Sequence, residues 1–158
     1  MTSPVRLAEF LARHRRIGID TAPLIYHLEG DPKYSAATTL LFSWLRKPRA
    51  TAVTSTLTLT ELLVQPYRLK DRRRVALAFA ASALFKHLEW MPLTLSIADR
   101  AAQLRAEYRL RTPDAIQVAT AIAGEATGLV TNDFGMRRVE GIEVLVLDDV
   151  VAGTAGTD

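Results

Sequence analysis

The chain has 158 residues, of which 49% are hydrophobic, and a formal net charge of +3. That length holds one domain with a real core and is short for two, and the composition favours a globular chain over a disordered one. There is no cysteine, which excludes disulfides and thiolate metal sites.

The first element is a helix, "PVRLAEFLARHRR" (Pro4–Arg16), with Leu7, Phe10, Leu11 and His14 on one face. "IGID" (Ile17–Asp20) is short and apolar, as a strand buried on both faces should be. A short helix over Pro23–Leu28 and a longer one over Tyr34–Arg46 follow, and Pro48 stops the second. "AVTS" (Ala52–Ser55) is the next strand. Leu59–Arg68 and Arg72–His87 form a helical pair. Its segment "VALAFAASALF" (Val75–Phe85) is the longest apolar run, well under the roughly 18 residues of a membrane span. "LEWMPL" (Leu88–Leu93) is a third short strand. Ile97–Arg109 is a helix with a cap signal at Ser96 and Asp99. The helix "TPDAIQVATAIA" (Thr112–Ala123) has almost no polar face. "GLVTND" (Gly128–Asp133) and "IEVLVLDD" (Ile142–Asp149) complete the strands.

Strands alternating with helices predict an α/β fold with a parallel sheet covered on both sides. Residues 17–150 make the domain, 1–16 a helical extension packed on it, and 151–158 a disordered tail. No secretory pattern precedes the first helix, so a cytoplasmic location is expected.

The positive charge is nearly all arginine, with only Lys33, Lys47, Lys70 and Lys86 as lysines. Arginine suits phosphate because its fork matches two oxygens, although a genome rich in arginine codons gives the same bias. Arg15, Arg16, Arg109, Arg111, Arg137 and Arg138 are candidates for a basic rim. The run "RLKDRRR" (Arg68–Arg74) reads first as a solvated face.

Ligand sites of parallel sheets lie beyond the carboxyl ends of the strands. Asp20 ends the first strand, Glu61 lies just into the helix after the second, Asp114 opens the apolar helix, and Asp133 follows "GLVT". Each has a structural explanation. Thr58 and Glu61 form a capping box, Thr112-Pro113-Asp114 is a good helix start, and Asp133 suits a turn. Asp20 is the hardest to explain structurally, because it follows an apolar strand in a segment that should be buried. Together the four change the balance: clustered carboxylates repel unless a cation joins them, and oxygen-only ligands select Mg²⁺ or Mn²⁺. Such a site activates water and clamps phosphodiester oxygens.

"IGIDTAPLIYHLEG", "AVTSTLTLTELL", "RTPDAIQVATAIA" and "GLVTNDFG" resemble, in order and spacing, the four acidic motifs of PIN-domain nucleases. The chain looks most like the VapC-type toxins of bacterial type II toxin–antitoxin systems, over about Ile17 to Val150. The resemblance implies a PIN-like three-layer sandwich with four or five central strands. It implies that Asp20, Glu61, Asp114 and Asp133 bind one or two Mg²⁺ or Mn²⁺ ions and cleave RNA, leaving 5′-phosphate and 3′-hydroxyl ends. Thr131 and Asn132 match the polar residues before the last acid, and Thr21 is an auxiliary polar residue beside the first. It also implies an antitoxin partner and a homodimer. The N-terminal helix departs from the family pattern.

Three other readings are weighed. An aspartyl-phosphate phosphatase needs an acid where Ala22 stands, which argues against it. A flap-type nuclease acting on DNA lacks a helical arch here. A degenerate PIN domain that only binds RNA or protein is opposed by the presence of all four acids. His14, His27 and His87 read as structural, so no histidine-based ribonuclease chemistry is expected.

Overall fold

A computed structural model describes residues 3–152. The strands β1 (Arg16–Ile19), β2 (Thr51–Ser55), β3 (Leu88–Met91), β4 (Gly128–Thr131) and β5 (Glu143–Val146) form one sheet in the order β3-β2-β1-β4-β5. Every neighbouring pair is parallel. The helices among the described residues are α1 (Ser3–Arg13), α2 (Thr21–Glu29), α3 (Ser35–Leu45), α4 (Leu57–Arg68), α5 (Arg72–Leu84), α6 (Leu95–Tyr108), α7 (Thr112–Ala123) and α8 (Leu147–Val151). None is long and apolar enough to cross a membrane.

The strands alternate as their residues require. Ile17, Ile19, Ala52 and Val130 enter one core with Leu7, Phe10, Leu41 and Leu147. Val53 and Leu129 enter a second core with Leu104, Val118 and Ala119. The sheet therefore separates two helical layers, the expected three-layer sandwich. Leu7, Phe10 and Leu11 are buried in the first core, so α1 is integral to it.

Four local expectations are corrected. The first helix stops at Arg13, and Arg16 already belongs to β1. The pair's second helix stops at Leu84 instead of running to His87, whose Nδ1 lies 2.9 Å from the Leu45 carbonyl. The cap of α6 is Thr94, whose hydroxyl accepts from the Ile97 amide at 3.2 Å, instead of Ser96. The last strand stops at Val146, and "LDDVV" is helical. Leu147 and Val150, three residues apart, are both buried there, a helical spacing that a continuous apolar run conceals. Val151 closes that helix, and 153–158 of the expected tail lie outside the described residues.

Gly18 sets how closely α7 lies on β1. A β-carbon there would stand 2.7 Å from the Ala121 β-carbon and 2.8 Å from a Leu129 methyl. Gly18→Ala should overpack this contact and cost about 1–3 kcal/mol. A lower urea midpoint with an unchanged slope is the expected result; an unchanged midpoint would show that the helix can move away freely.

Candidate active site

β1 and β4 lie side by side at the point where the strand order reverses, and chains leaving them diverge to open a crevice. Asp20 directly follows β1, and its amide donates to the Val130 carbonyl of β4 at 3.0 Å. Asp133 lies two residues beyond β4. Asp114 is in the first turn of α7, and Glu61 is in α4. All four carboxylates line one open cleft of about 440 Å³ with Thr21, Tyr26, Arg111, Asn132 and Phe134. A larger cavity of about 640 Å³ lies beside Phe42 and Phe85 and has no acidic lining residue.

The structural explanations fare differently. Asp20 does cap α2: its Oδ1 accepts from the Thr21 amide at 2.8 Å. Its Oδ2 accepts from the buried Thr131 hydroxyl at 2.7 Å. Asp133 is also a turn residue, since its Oδ1 accepts from the Gly135 amide at 2.7 Å and opens a 3-10 helix, Phe134–Arg138. The capping box is absent. Helix α4 starts after Thr56, and Thr58 turns inward to lie 2.7 Å from the Thr54 hydroxyl. Glu61 is left exposed in the cleft, accepting from the Thr21 hydroxyl at 3.1 Å. The cap of α7 is Arg111, one residue earlier than Thr112, so Pro113 is second in the helix and Asp114 third.

Burial raises the pKa of Asp20, and Glu61 and Asp133 push it the same way, against the Thr131 and Thr21 donors. Burial, then hydrogen bonding to Asp133, raises Asp114 to about 6, against Arg111. Burial also pushes Asp133 up, but the Gly135 amide, Asp114 and Arg111 outweigh it and hold that carboxyl below its ordinary value. One cation answers this negative field. The Arg111 Nε donates to Asp114 Oδ2 at 2.8 Å, and its Nη2 donates to Asp133 Oδ2 at 3.3 Å.

The four carboxylates offer hard oxygen donors of the kind Mg²⁺ and Mn²⁺ prefer. Their spacing differs from a closed metal cage: among the described residues no three acidic or imidazole groups stand close enough to enclose an ion. Two of the acids are joined through Arg111 instead.

Of the rim arginines, Arg111 lines the cleft. Arg137 stacks over the cleft-lining Phe134 at 4.7 Å and pairs with Asp149. Arg138 is exposed and donates to the Gly135 carbonyl at 3.3 Å. Arg109 ends α6 in the left-handed region, with φ 55°, and does not line the cleft. Arg15 and Arg16 do not reach it either. They stand at the start of β1, the opposite end of the sheet, where Arg16 binds the Gly124 carbonyl and Glu89. Their predicted place in the rim is thereby corrected. The cause is their place before β1, since residues that precede a strand stand at its amino end and the cleft lies beyond the carboxyl ends.

Gln117, Tyr26 and Tyr34 go unnoticed in the sequence as residues of the site. Gln117, 3% exposed, donates to the Thr58 hydroxyl at 2.7 Å and the Thr21 hydroxyl at 3.3 Å, and its Oε1 accepts from the Ser55 amide. It ties α7 to β2, α2 and α4 under the cleft. Its signal is a lone amide in an apolar helix, one turn after Asp114. Asn132 accepts from the Asp148 amide at 2.8 Å and donates to the hydroxyls of Tyr26 and Tyr34. Those rings are stacked 3.9 Å apart, and they hold the loop that carries Asp133. No local pattern announces that contact.

The family model for the PIN domain matches residues 17–142. No curated protein sequence matches the chain. Solved structures do. A toxin–antitoxin complex from Klebsiella pneumoniae is 26% identical, with a TM-score of 0.60 over 84% of this chain and 97% of that one. VapBC2 from Rickettsia felis, bound to a promoter DNA fragment, is 20% identical, with a TM-score of 0.59 over 83% and 98%. Mycobacterium tuberculosis VapC20, a sarcin-ricin loop cleaving toxin, is 20% identical, with a TM-score of 0.57 over 72% and 86%. These last two likenesses concern the fold.

Two measurements check the site's physics. Gln117→Met leaves the Ser55 amide without its acceptor and should cost about 1–3 kcal/mol in denaturant unfolding; no change in stability would mean the network is dispensable. The pH dependence follows from Asp114. Its pKa of about 6 exceeds the roughly 3.9 of an unfolded aspartate, so between these values the folded state binds more protons. Metal-free stability should fall across that window as pH rises, and Asp114→Asn should flatten the fall. Equal slopes in both proteins would remove Asp114 as the cause.

Proposed function

The chain belongs to the PIN domain family, and from that premise we propose that it is a metal-dependent endoribonuclease, the toxin of a toxin–antitoxin pair. The observation that carries this reading is the convergence of Asp20, Glu61, Asp114 and Asp133 on one cleft beyond β1 and β4. The fold shared with VapC20 supports RNA as the substrate class, and the Klebsiella pneumoniae complex supports an antitoxin partner.

A Mg²⁺ or Mn²⁺ ion, when bound, supplies Lewis-acid activation of water and a clamp on phosphodiester oxygens. Asp20, Asp114 and Asp133 would hold it, directly or through waters, since no three acidic groups among the described residues stand close enough to enclose an ion. Thr131 keeps Asp20 and the Asp133 backbone in register, because its hydroxyl donates to Asp20 Oδ2 and accepts from the Asp133 amide at 3.0 Å. Glu61, exposed and steadied by Thr21, would orient the attacking water. Phe134 and Arg137 form a rim suited to a base and a phosphate.

A second copy of this chain covers α5 in the proposed assembly. Leu77, Phe79 and Leu84 are 39%, 48% and 62% exposed there. Light scattering at micromolar concentration should give a dimer. A monomer sinks that part of the proposal and leaves the chemistry standing.

The decisive experiment uses Asp20→Asn. Asparagine is as good an N-cap as aspartate, so α2 should keep its start. Metal-free stability should hold or rise because one buried charge is gone. RNA cleavage, which EDTA should abolish in the wild type, should fall in the variant beyond the roughly 10- to 100-fold that loss of an outer-shell partner costs. Mg²⁺ at about 100 times its Kd should stabilise the wild type by about 2.7 kcal/mol and the variant much less. A variant that melts earlier yet cleaves RNA at the wild-type rate would overturn the assignment.

A further inference from the structure

Arg111 is the one cation bound directly to the acidic cleft among the described ion pairs. It joins two carboxylates from different elements, Asp114 at the start of α7 and Asp133 in the loop after β4, which are 19 residues apart in sequence. Its two contacts use different nitrogens, Nε at 2.8 Å and Nη2 at 3.3 Å, so the guanidinium plane spans the pair. We infer that Arg111 is a built-in counter-ion of this cleft, which holds the unloaded acids together and which a divalent cation must displace to bind them. This inference rests on the metal-dependent reading proposed above and adds a self-masking step to it.

Three features favour displacement over permanent pairing. The Arg111 side chain is 78% exposed, whereas that of Asp114 is 11% exposed, so the arginine can leave without exposing a core. The guanidinium does not lose its proton at working pH, so the pair opens by exchange of one cation for another. Arg111 also reaches only Asp114 and Asp133. Among the described residues Asp20 and Glu61 make no ion pair, so their charge still favours a cation after Arg111 has bound. The arginine thus satisfies the site partially, as a competitor does. Its structural duties are light. It is the residue before α7, with extended backbone at φ −66° and ψ 154°, and its side chain makes no cap hydrogen bond.

The test is direct binding of Mn²⁺ without RNA, by titration calorimetry, to the wild type and to Arg111→Gln. The variant should bind more tightly by roughly threefold to fivefold, the size of one solvent-exposed ion pair. Its metal-free form should also melt at a lower temperature than the wild type, so the melting gap between metal-free and Mn²⁺-saturated protein should widen. Arg111→Lys, a point charge that cannot span both carboxylates, should fall between the two. Equal or weaker Mn²⁺ affinity in Arg111→Gln would mean that the arginine supports the metal site, and the inference would fail alone. Failure of both proteins to bind Mn²⁺ would remove the metal reading of the cleft and this inference with it. If Arg111→Gln proves unstable, Arg111→Lys carries the same comparison with its charge kept.

Discussion

Like charges gathered at the carboxyl end of one sheet repel, and much of this fold serves to hold them there. Two carboxylates about 4 Å apart repel by about 4 kcal/mol at an effective dielectric near 20. The acids of the cleft stay together because each is fastened to a different rigid element. Asp20 is fixed by the Thr21 amide and the Thr131 hydroxyl, and Asp133 by the Gly135 amide. Asp114 rides on α7, whose body is buried from Ala115 to Ala121. Burial supplies the force that the electrostatics oppose. The close seating of Ala121 over Gly18 sets how far α7, and thus Asp114, stands from β1.

Capping and catalysis are usually offered as rival explanations of an acid at a helix start. Here they coincide. A carboxylate has about four lone-pair sites, and one or two backbone donors leave the others free. Asp20 and Asp133 each use one oxygen for a local cap and the other for a neighbouring side chain, the buried Thr131 hydroxyl and the Arg111 guanidinium respectively. The cap is therefore a positioning device. Glu61 differs because Thr58 has gone inward to meet Gln117, so no capping box competes for its carboxylate.

The parallel sheet and the four acids were legible because both leave short-range signatures. Apolar strands alternate with helical runs, and acids follow strands. The boundaries that failed are those decided at long range. Leu147–Val151 turns helical where the Asp148 amide meets Asn132, 16 residues away. Arg15 and Arg16 are a different miss: they precede β1 and so stand at its amino end, away from the cleft beyond the carboxyl ends. Gln117 was hidden for the opposite reason. Its helix is so apolar that one amide looks like noise until its partners on β2, α2 and α4 are known.

The helical extension belongs to this same economy of fixation. The family match begins at Ile17, yet α1 places Phe10 against Gly128 so tightly that a β-carbon there would stand 2.6 Å from the ring. His14 next to it bridges the Thr127 hydroxyl and Glu143, each at 2.7 Å, at the starts of β4 and β5. These contacts clamp the amino ends of the two strands whose other ends carry the Asp133 loop and α8. A strand of four residues is stiff over about 13 Å. Fixing its near end therefore constrains its far end. The extra helix thus steadies the acidic cleft from the opposite end of the sheet, without touching it.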